Sequence, residues 1–243
     1  KGSPKNYGHL LTPKLLFKYA PNHMKKDTND LDLHNKNIFS LDRLGSTSSL
    51  EGGTSLTYGI DYKKSFKNDQ ELNFSIGQII NEKKTDKRKP DTSSLDKRFS
   101  DVVGDLNFEK NNLKLSYKYS LDQNFKEMNY SEVETKYSLG NMSFNIDYLK
   151  EEKITDPKEY VKSSIEIKQG KNGLFTFDNK RNIVTNASEY YNLSYEYIND
   201  CLRAGLVYRR EFYNDSELEA ENSLLFKITL SPFGDLNSPK FYQ

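Results

Sequence analysis

Cys201 is the sole cysteine of the 243-residue chain, and Lys114, Lys118, Arg203, Arg209 and Lys227 stand at alternate positions of otherwise apolar stretches. These are the residues whose type and spacing could do chemistry. A lone thiol can stay buried and reduced, or pair with a cysteine outside these residues; an oxidising compartment favours pairing. Basic side chains along one face of a strand can meet phosphate-bearing head groups. They can equally just keep a wet surface wet. His9, His23 and His34 all precede the second apolar stretch and lack metal-ligand spacing. No serine-nucleophile elbow or phosphate-cradling glycine loop occurs. The sequence therefore predicts no enzyme, no cofactor and no metal.

The elements that position these residues follow a period of two, which puts one side-chain set on each face of a sheet. In residues 202–209, Leu202, Ala204, Leu206 and Tyr208 oppose Arg203, Gly205, Val207 and Arg209. In residues 223–233, Leu224, Phe226, Ile228 and Leu230 oppose Leu225, Lys227, Thr229 and Ser231, with Pro232 and Phe233 at the end. One face is oily and the other carries charges and hydroxyls. A strand between lipid and water has that pattern.

About twelve such segments follow along the chain. They cover 12–20, 54–66, 71–80, 99–109, 113–121, 130–139, 142–148, 159–168, an irregular stretch at 173–185, 190–198, and the two stretches just described. Short turns such as Gly140-Asn141 alternate with longer polar connections. A polar loop is expected at 21–53. A basic loop is expected at 81–98, with Lys83, Lys84, Lys87, Arg88 and Lys89 solvated or drawn to anionic surfaces. Tyr62, Tyr119, Tyr148, Tyr197 and Tyr208 near strand ends suit an interfacial aromatic girdle.

Composition narrows the class. Lys+Arg 36 against Asp+Glu 35 leaves a net charge of +1, so no broad field draws nucleic acid. The 17 Tyr and 14 Phe are too many for a solvating tail. No apolar run approaches the roughly 20 residues of a helical span. The chain opens Lys1-Gly2-Ser3-Pro4, with neither an initiator Met nor a signal segment, and reads as a piece of a longer protein. The expected fold is all-β: an antiparallel up-and-down transmembrane β-barrel arrangement of about twelve strands. Competing readings are a self-contained porin or autotransporter-type channel, an outer-membrane hydrolase, and a soluble β-sandwich adhesin.

Four blocks carry a family resemblance: residues 11–21 (LTPKLLFKYAP), 37–44 (NIFSLDRL) running into Glu51-Gly52-Gly53, 72–79 (LNFSIGQI), and 200–212 with 223–234. In order and spacing they resemble the C-terminal barrel half of LptD, the lipopolysaccharide-assembly or organic-solvent-tolerance family. The resemblance implies an outer-membrane barrel of a Gram-negative bacterium, with residues 1–243 as the C-terminal portion of the barrel domain. A periplasmic N-terminal domain and the first barrel strands would lie outside these residues. It implies lipopolysaccharide as cargo, inserted into the outer leaflet through a lateral opening between first and last strands. It also implies a plug lipoprotein, periplasmic bridge proteins reached through the N-terminal domain, and the barrel-assembly machinery as partners. By the same resemblance Cys201 pairs with a cysteine of the N-terminal domain, Leu202 standing where many relatives have a second cysteine. The last strand, carrying Ser223, Leu224, Phe226, Lys227, Ile228, Thr229, Leu230, Pro232 and Phe233, becomes one lip of the gate.

Overall fold

In a computed structural model, residues 8–21, 33–43, 51–66, 69–85, 94–152, 157–212 and 221–230 are described. They form twelve strands: β1 (Gly8–Ala20), β2 (Gly53–Ser65), β3 (Gln70–Asn81), β4 (Val102–Lys110), β5 (Leu113–Leu121), β6 (Met128–Leu139), β7 (Met142–Glu151), β8 (Lys158–Gln169), β9 (Gly173–Asn182), β10 (Ala187–Ile198), β11 (Leu202–Glu211) and β12 (Glu221–Leu230). The strands follow one another in chain order. The pairings from β1 to β5 and from β8 to β12 are antiparallel. The fold is thus the all-β up-and-down arrangement that the alternation predicts. Among the described residues, β1 pairs with β2 and β12 with β11.

Several boundaries differ from the periodicity. β1 begins at Gly8, four residues earlier than expected. Phe99 makes only an isolated bridge to Ile80, and β4 starts at Val102. The stretch that looks irregular in sequence is a regular strand, β9, whose pairing with β8 and β10 outweighs the propensity of its Asp178, Asn179 and Asn182. Residues 183–186 form the turn after it. β10 absorbs one residue as a register shift between Ser188 and Tyr190. Residues 231–233, and with them Pro232 and Phe233, lie outside the described residues, as do Lys87, Arg88 and Lys89.

Burial is inverted relative to a protein folded in water. Leu15, Phe17 and Tyr19 of β1 are 73%, 67% and 69% exposed. Ser55, Thr57, Asn81, Ser120, Asn192 and Ser194 are buried. Leaving a large aliphatic or aromatic side chain in water forgoes about 1.5–3 kcal/mol each. A row of them along one face calls for a solvent of hydrocarbon. Among the described residues no helix is long and apolar enough to cross a membrane; strands do the crossing in such a fold.

The chain divides into two compact units, Lys1–Thr135 with Tyr148–Glu159, and Lys136–Asp147 with Tyr160–Gln243. In the first unit the polar face of β1 to β4 is covered by the chain itself. Residues 33–43, inside the loop read as polar, lie on it, and Leu33 and Ile38 pack with Ile79, Leu95 and Val103, with Phe39 against them. Gly59 and Gly77 face each other across β2 and β3 and make the room. A Cβ on Gly77 would come within 3.1 Å of Ile38 Cδ1 and 3.4 Å of the Phe39 ring; one on Gly59 would meet Phe39 at 2.8 Å and the Ile76 carbonyl at 2.4 Å. Two adjacent glycines are therefore the seat of an isoleucine and a phenylalanine.

A second inward segment, 94–101, is stitched to the end of β3. The Asn81 amide donates to the carbonyls of Leu95 (3.1 Å) and Lys97 (2.8 Å). Ser100 Oγ accepts from the Ile79 N–H at 2.9 Å.

The seat predicts a difference between two small substitutions. Gly77→Ala crowds only a flexible side-chain end and should cost under about 1 kcal/mol, whereas Gly59→Ala meets a backbone carbonyl and should cost about 1–3 kcal/mol. Urea unfolding of the detergent-solubilised protein measures both; equal midpoints would contradict the seat.

Candidate functional site

On the covered face of the first unit, the centre of charge is the Glu51 carboxylate. Its Oε2 accepts from Arg43 Nε at 2.8 Å and lies 2.9 Å from Lys18 Nζ. The Arg43 backbone N–H also points to it, at 3.3 Å. The guanidinium then ties into the sheet, donating to Thr57 Oγ1 (3.2 Å) and Ser55 Oγ (3.1 Å) of β2. The Arg43 and Glu51 side chains are fully buried. Nearby, Lys14 pairs with Asp61 and stands 5.3 Å from the centre of the Phe39 ring. Alternation places Lys14 and Lys18 of β1 on the same face as Ser55, Thr57 and Asp61 of β2, so the sheet presents cations and hydroxyls to the segment lying on it.

At the start of the inward segment is a cavity of about 690 Å³, lined by Asn35 and Lys36 of that segment and by Asp105, Lys118, Glu132 and Glu134 of the strands. Lys118 Nζ holds two carboxylates together, Glu132 at 2.6 Å and Glu134 at 2.9 Å. Asp101 is wholly buried at the edge of the sheet, its Oδ2 accepting from Ser120 Oγ (3.1 Å) and Asn129 Nδ2 (2.7 Å). In the adjoining loop, burial pushes the Asp96 carboxyl above its usual range, opposed by its own backbone N–H and by Lys97 and Lys84. Lys83 and Lys84 are exposed.

Lys114, Lys118, Arg203, Arg209 and Lys227 lie on the polar side of their strands, and the first four are met by acids. Lys114 pairs with Glu109 at 2.7 Å. Arg203 pairs with Glu196, and Arg209 with Glu211 while lying 5.0 Å from the Tyr190 ring centre. Lys227 stands opposite Gly205 and is also engaged. The polar face is thus a charge-compensated surface of mixed sign. Its cations are spread over both units rather than gathered into one cluster.

In the second unit, β12 pairs with β11 from Leu202↔Leu230 to Glu211↔Glu221. Leu224, Phe226, Ile228 and Leu230 share a face with Tyr208, Leu206, Ala204 and Leu202, and are 70%, 68%, 54% and 52% exposed. Ser223, Lys227 and Thr229 share the other face with Arg209, Gly205 and Arg203, where Val207 is buried. Cys201 is exposed in the short turn between β10 and β11. Asn199 shapes that turn, its Oδ1 accepting from the N–H of Cys201 (3.0 Å) and of Leu202 (2.7 Å). Neighbouring turns are tied in series, Asn141 Nδ2 to the Lys168 carbonyl and Asn172 Nδ2 to the Ile198 carbonyl.

Compared with known families, residues 2–173 match LptD, described as LPS transport system D. The chain belongs to the LptD family. LptD proteins transport and assemble lipopolysaccharide at the outer membrane of Gram-negative bacteria, and theirs is not an enzyme family. Lipopolysaccharide is accordingly the family's substrate. Among curated proteins none matches the chain. Three of the four blocks that carried the resemblance fall within the matched residues; the block spanning Cys201 and β12 falls outside them. The match instead includes residues 83–173, which in sequence show only generic alternation.

The Arg43–Glu51–Lys18 cluster and its glycine seat escaped the sequence reading. A signal was present: Ile38, Phe39 and Leu41 are apolar residues inside an otherwise polar loop.

The raised Asp96 carboxyl has a sign that can be measured. Its charged form is penalised by folding, so the penalty is full above the folded pKa and disappears as pH falls to the unfolded value. Asp96→Asn should therefore protect the Ser100 amide from hydrogen exchange at neutral pH, with the gain vanishing below about pH 4. A gain that persists at low pH would contradict burial as its cause.

Proposed function

We propose that this chain forms part of a lipopolysaccharide-inserting barrel whose β12 is one lip of a lateral opening to the outer leaflet. The observation that carries the reading is β12 itself. Leu224, Phe226, Ile228 and Leu230 alternate along it, each more than half exposed, and among the described residues β11 is its strand neighbour. A strand edge of unpaired N–H and C=O groups is costly in hydrocarbon unless another strand closes on it. Closure by a strand that can let go gives a seam through which a lipid moves sideways, keeping its acyl chains in the bilayer. The wet face, with Lys227 and Thr229 on β12, accompanies the saccharide. The charge-compensated pairs keep that face hydrated without a strong fixed anion seat, which suits passage more than capture.

The twelve strands are read as the C-terminal portion of one larger barrel, working with a plug lipoprotein. Periplasmic bridge proteins deliver the lipid through an N-terminal domain, and the barrel-assembly machinery reads the alternation of β12. Cys201 is read as the partner of a cysteine outside these residues. Its exposure and its position in a short turn give a thiol access that a mid-strand site would lack.

Two experiments in the full-length protein test this. A disulfide between Thr229→Cys and a cysteine on the facing first strand should stop lipopolysaccharide reaching the surface while the barrel still assembles; normal delivery through a demonstrably locked seam would rule the gate out. Cys201→Ser should change mobility on non-reducing gels through loss of a long-range bridge, and unchanged mobility would exclude the pairing.

A further inference from the structure

We propose that residues 33–43 are a strap closing the polar face of β1 to β4, and that the Glu51–Arg43–Lys18 cluster is the latch that keeps it shut against small hydrophilic solutes. The inference rests on the barrel reading above, in which the polar face borders a wet interior. It concerns leakage of solutes rather than movement of lipid.

Three features distinguish a strap from ordinary loop packing. Its middle is seated by shape, Ile38 and Phe39 resting over Gly59 and Gly77. Its end is held by charge, and the hold is to the sheet: Arg43 reaches Ser55 and Thr57, and Glu51 reaches Lys18 of β1. Its start borders the 690 Å³ cavity, which Leu33, His34, Asn35 and Lys36 help to line. Lifting the segment would join that cavity to the hydroxyl-lined surface of β2, giving water a continuous polar path. The wall of that path carries Lys118, Glu132 and Glu134, which favour water and small polar solutes over hydrocarbon.

The latch is cooperative by construction. One carboxylate oxygen serves two cations and a backbone N–H, so loss of Glu51 leaves the Arg43 guanidinium buried without its carboxylate, and loss of Arg43 removes the strap's cation together with its donors to Ser55 and Thr57. A buried charge left without its partner is far more costly than the intact pair is stabilising. Relief comes by moving the segment into water. The population of the released strap should then rise on the order of a hundredfold.

The test uses the full-length protein in its native host, with entry of a chromogenic cephalosporin to a periplasmic β-lactamase as the leak assay. Arrival of lipopolysaccharide at the surface is followed in parallel. Arg43→Gln and Glu51→Gln should each raise cephalosporin entry at least about tenfold. Glu51→Asp, which keeps the charge, should leak less than Glu51→Gln. Should either glutamine variant fail to assemble, Ser55→Ala with Thr57→Val loosens the latch while sparing the ion pair, and should give a smaller leak. Parental entry in variants present at parental level overturns the strap, including the case in which lipopolysaccharide arrival falls without a leak. The transport reading fails separately, if depletion of the protein leaves lipopolysaccharide arrival normal.

Discussion

The Glu51 side chain has no exposed surface, and its carboxylate meets both Arg43 and Lys18. Much of the first unit is organised around that requirement. An isolated carboxylate removed from water carries a desolvation cost of several kcal/mol even after relaxation. It must therefore be met by fixed donors, which come from three places: a strand, a loop residue and a backbone N–H. To bring Arg43 there, residues 33–43 must fold back onto β2 and β3, and to let them do so the sheet must be bare at Gly59 and Gly77. Glycine in a strand ordinarily weakens it. Here it makes room for the Ile38 and Phe39 side chains.

The same polar face explains how the strands can be buried and hydrophilic at once. Serine, threonine and asparagine occupy the sites that leucine and valine would fill in a water-soluble sheet. Ser120 and Asn129, for example, are met by the Asp101 carboxylate. The opposite face needs no such matching, because hydrocarbon makes no directional demands. A half-exposed ion pair such as Lys114–Glu109 adds little to stability. Its role is to leave neither charge without a counterpart near the edge of the apolar band.

Alternation made the sheet legible. Leu113, Leu115, Tyr117, Tyr119 and Leu121 against Lys114, Ser116, Lys118 and Ser120 give β5 without help from its neighbours, and the observed strand has those bounds. β9 was harder to see because its apolar residues are confined to Leu174, Phe175 and Phe177, and the polar remainder is held by pairing on both sides. The inward segments were illegible for another reason. Neither has a periodicity, and their burial arises from contacts between residues distant in sequence, Ile38 with Ile79 and Val103. Family resemblance drew on the same NIFSLDRL block without revealing where it packs. The basic residues could be assigned a face by parity, but their acidic partners on adjacent strands depend on register, which a single strand's pattern does not contain.

The central claim is that these strands stand between hydrocarbon and water. Nitroxide labels placed one at a time along Ser223 to Leu230 of the full-length protein in bilayers report it directly, through collision with oxygen, which concentrates in lipid, and with a water-soluble nickel chelate. The account predicts oxygen contact at Leu224, Phe226, Ile228 and Leu230, and reduced oxygen contact at Ser223, Leu225, Lys227 and Thr229, in strict alternation. Accessibility without a period of two, or with Lys227 on the oxygen-rich side, would contradict it.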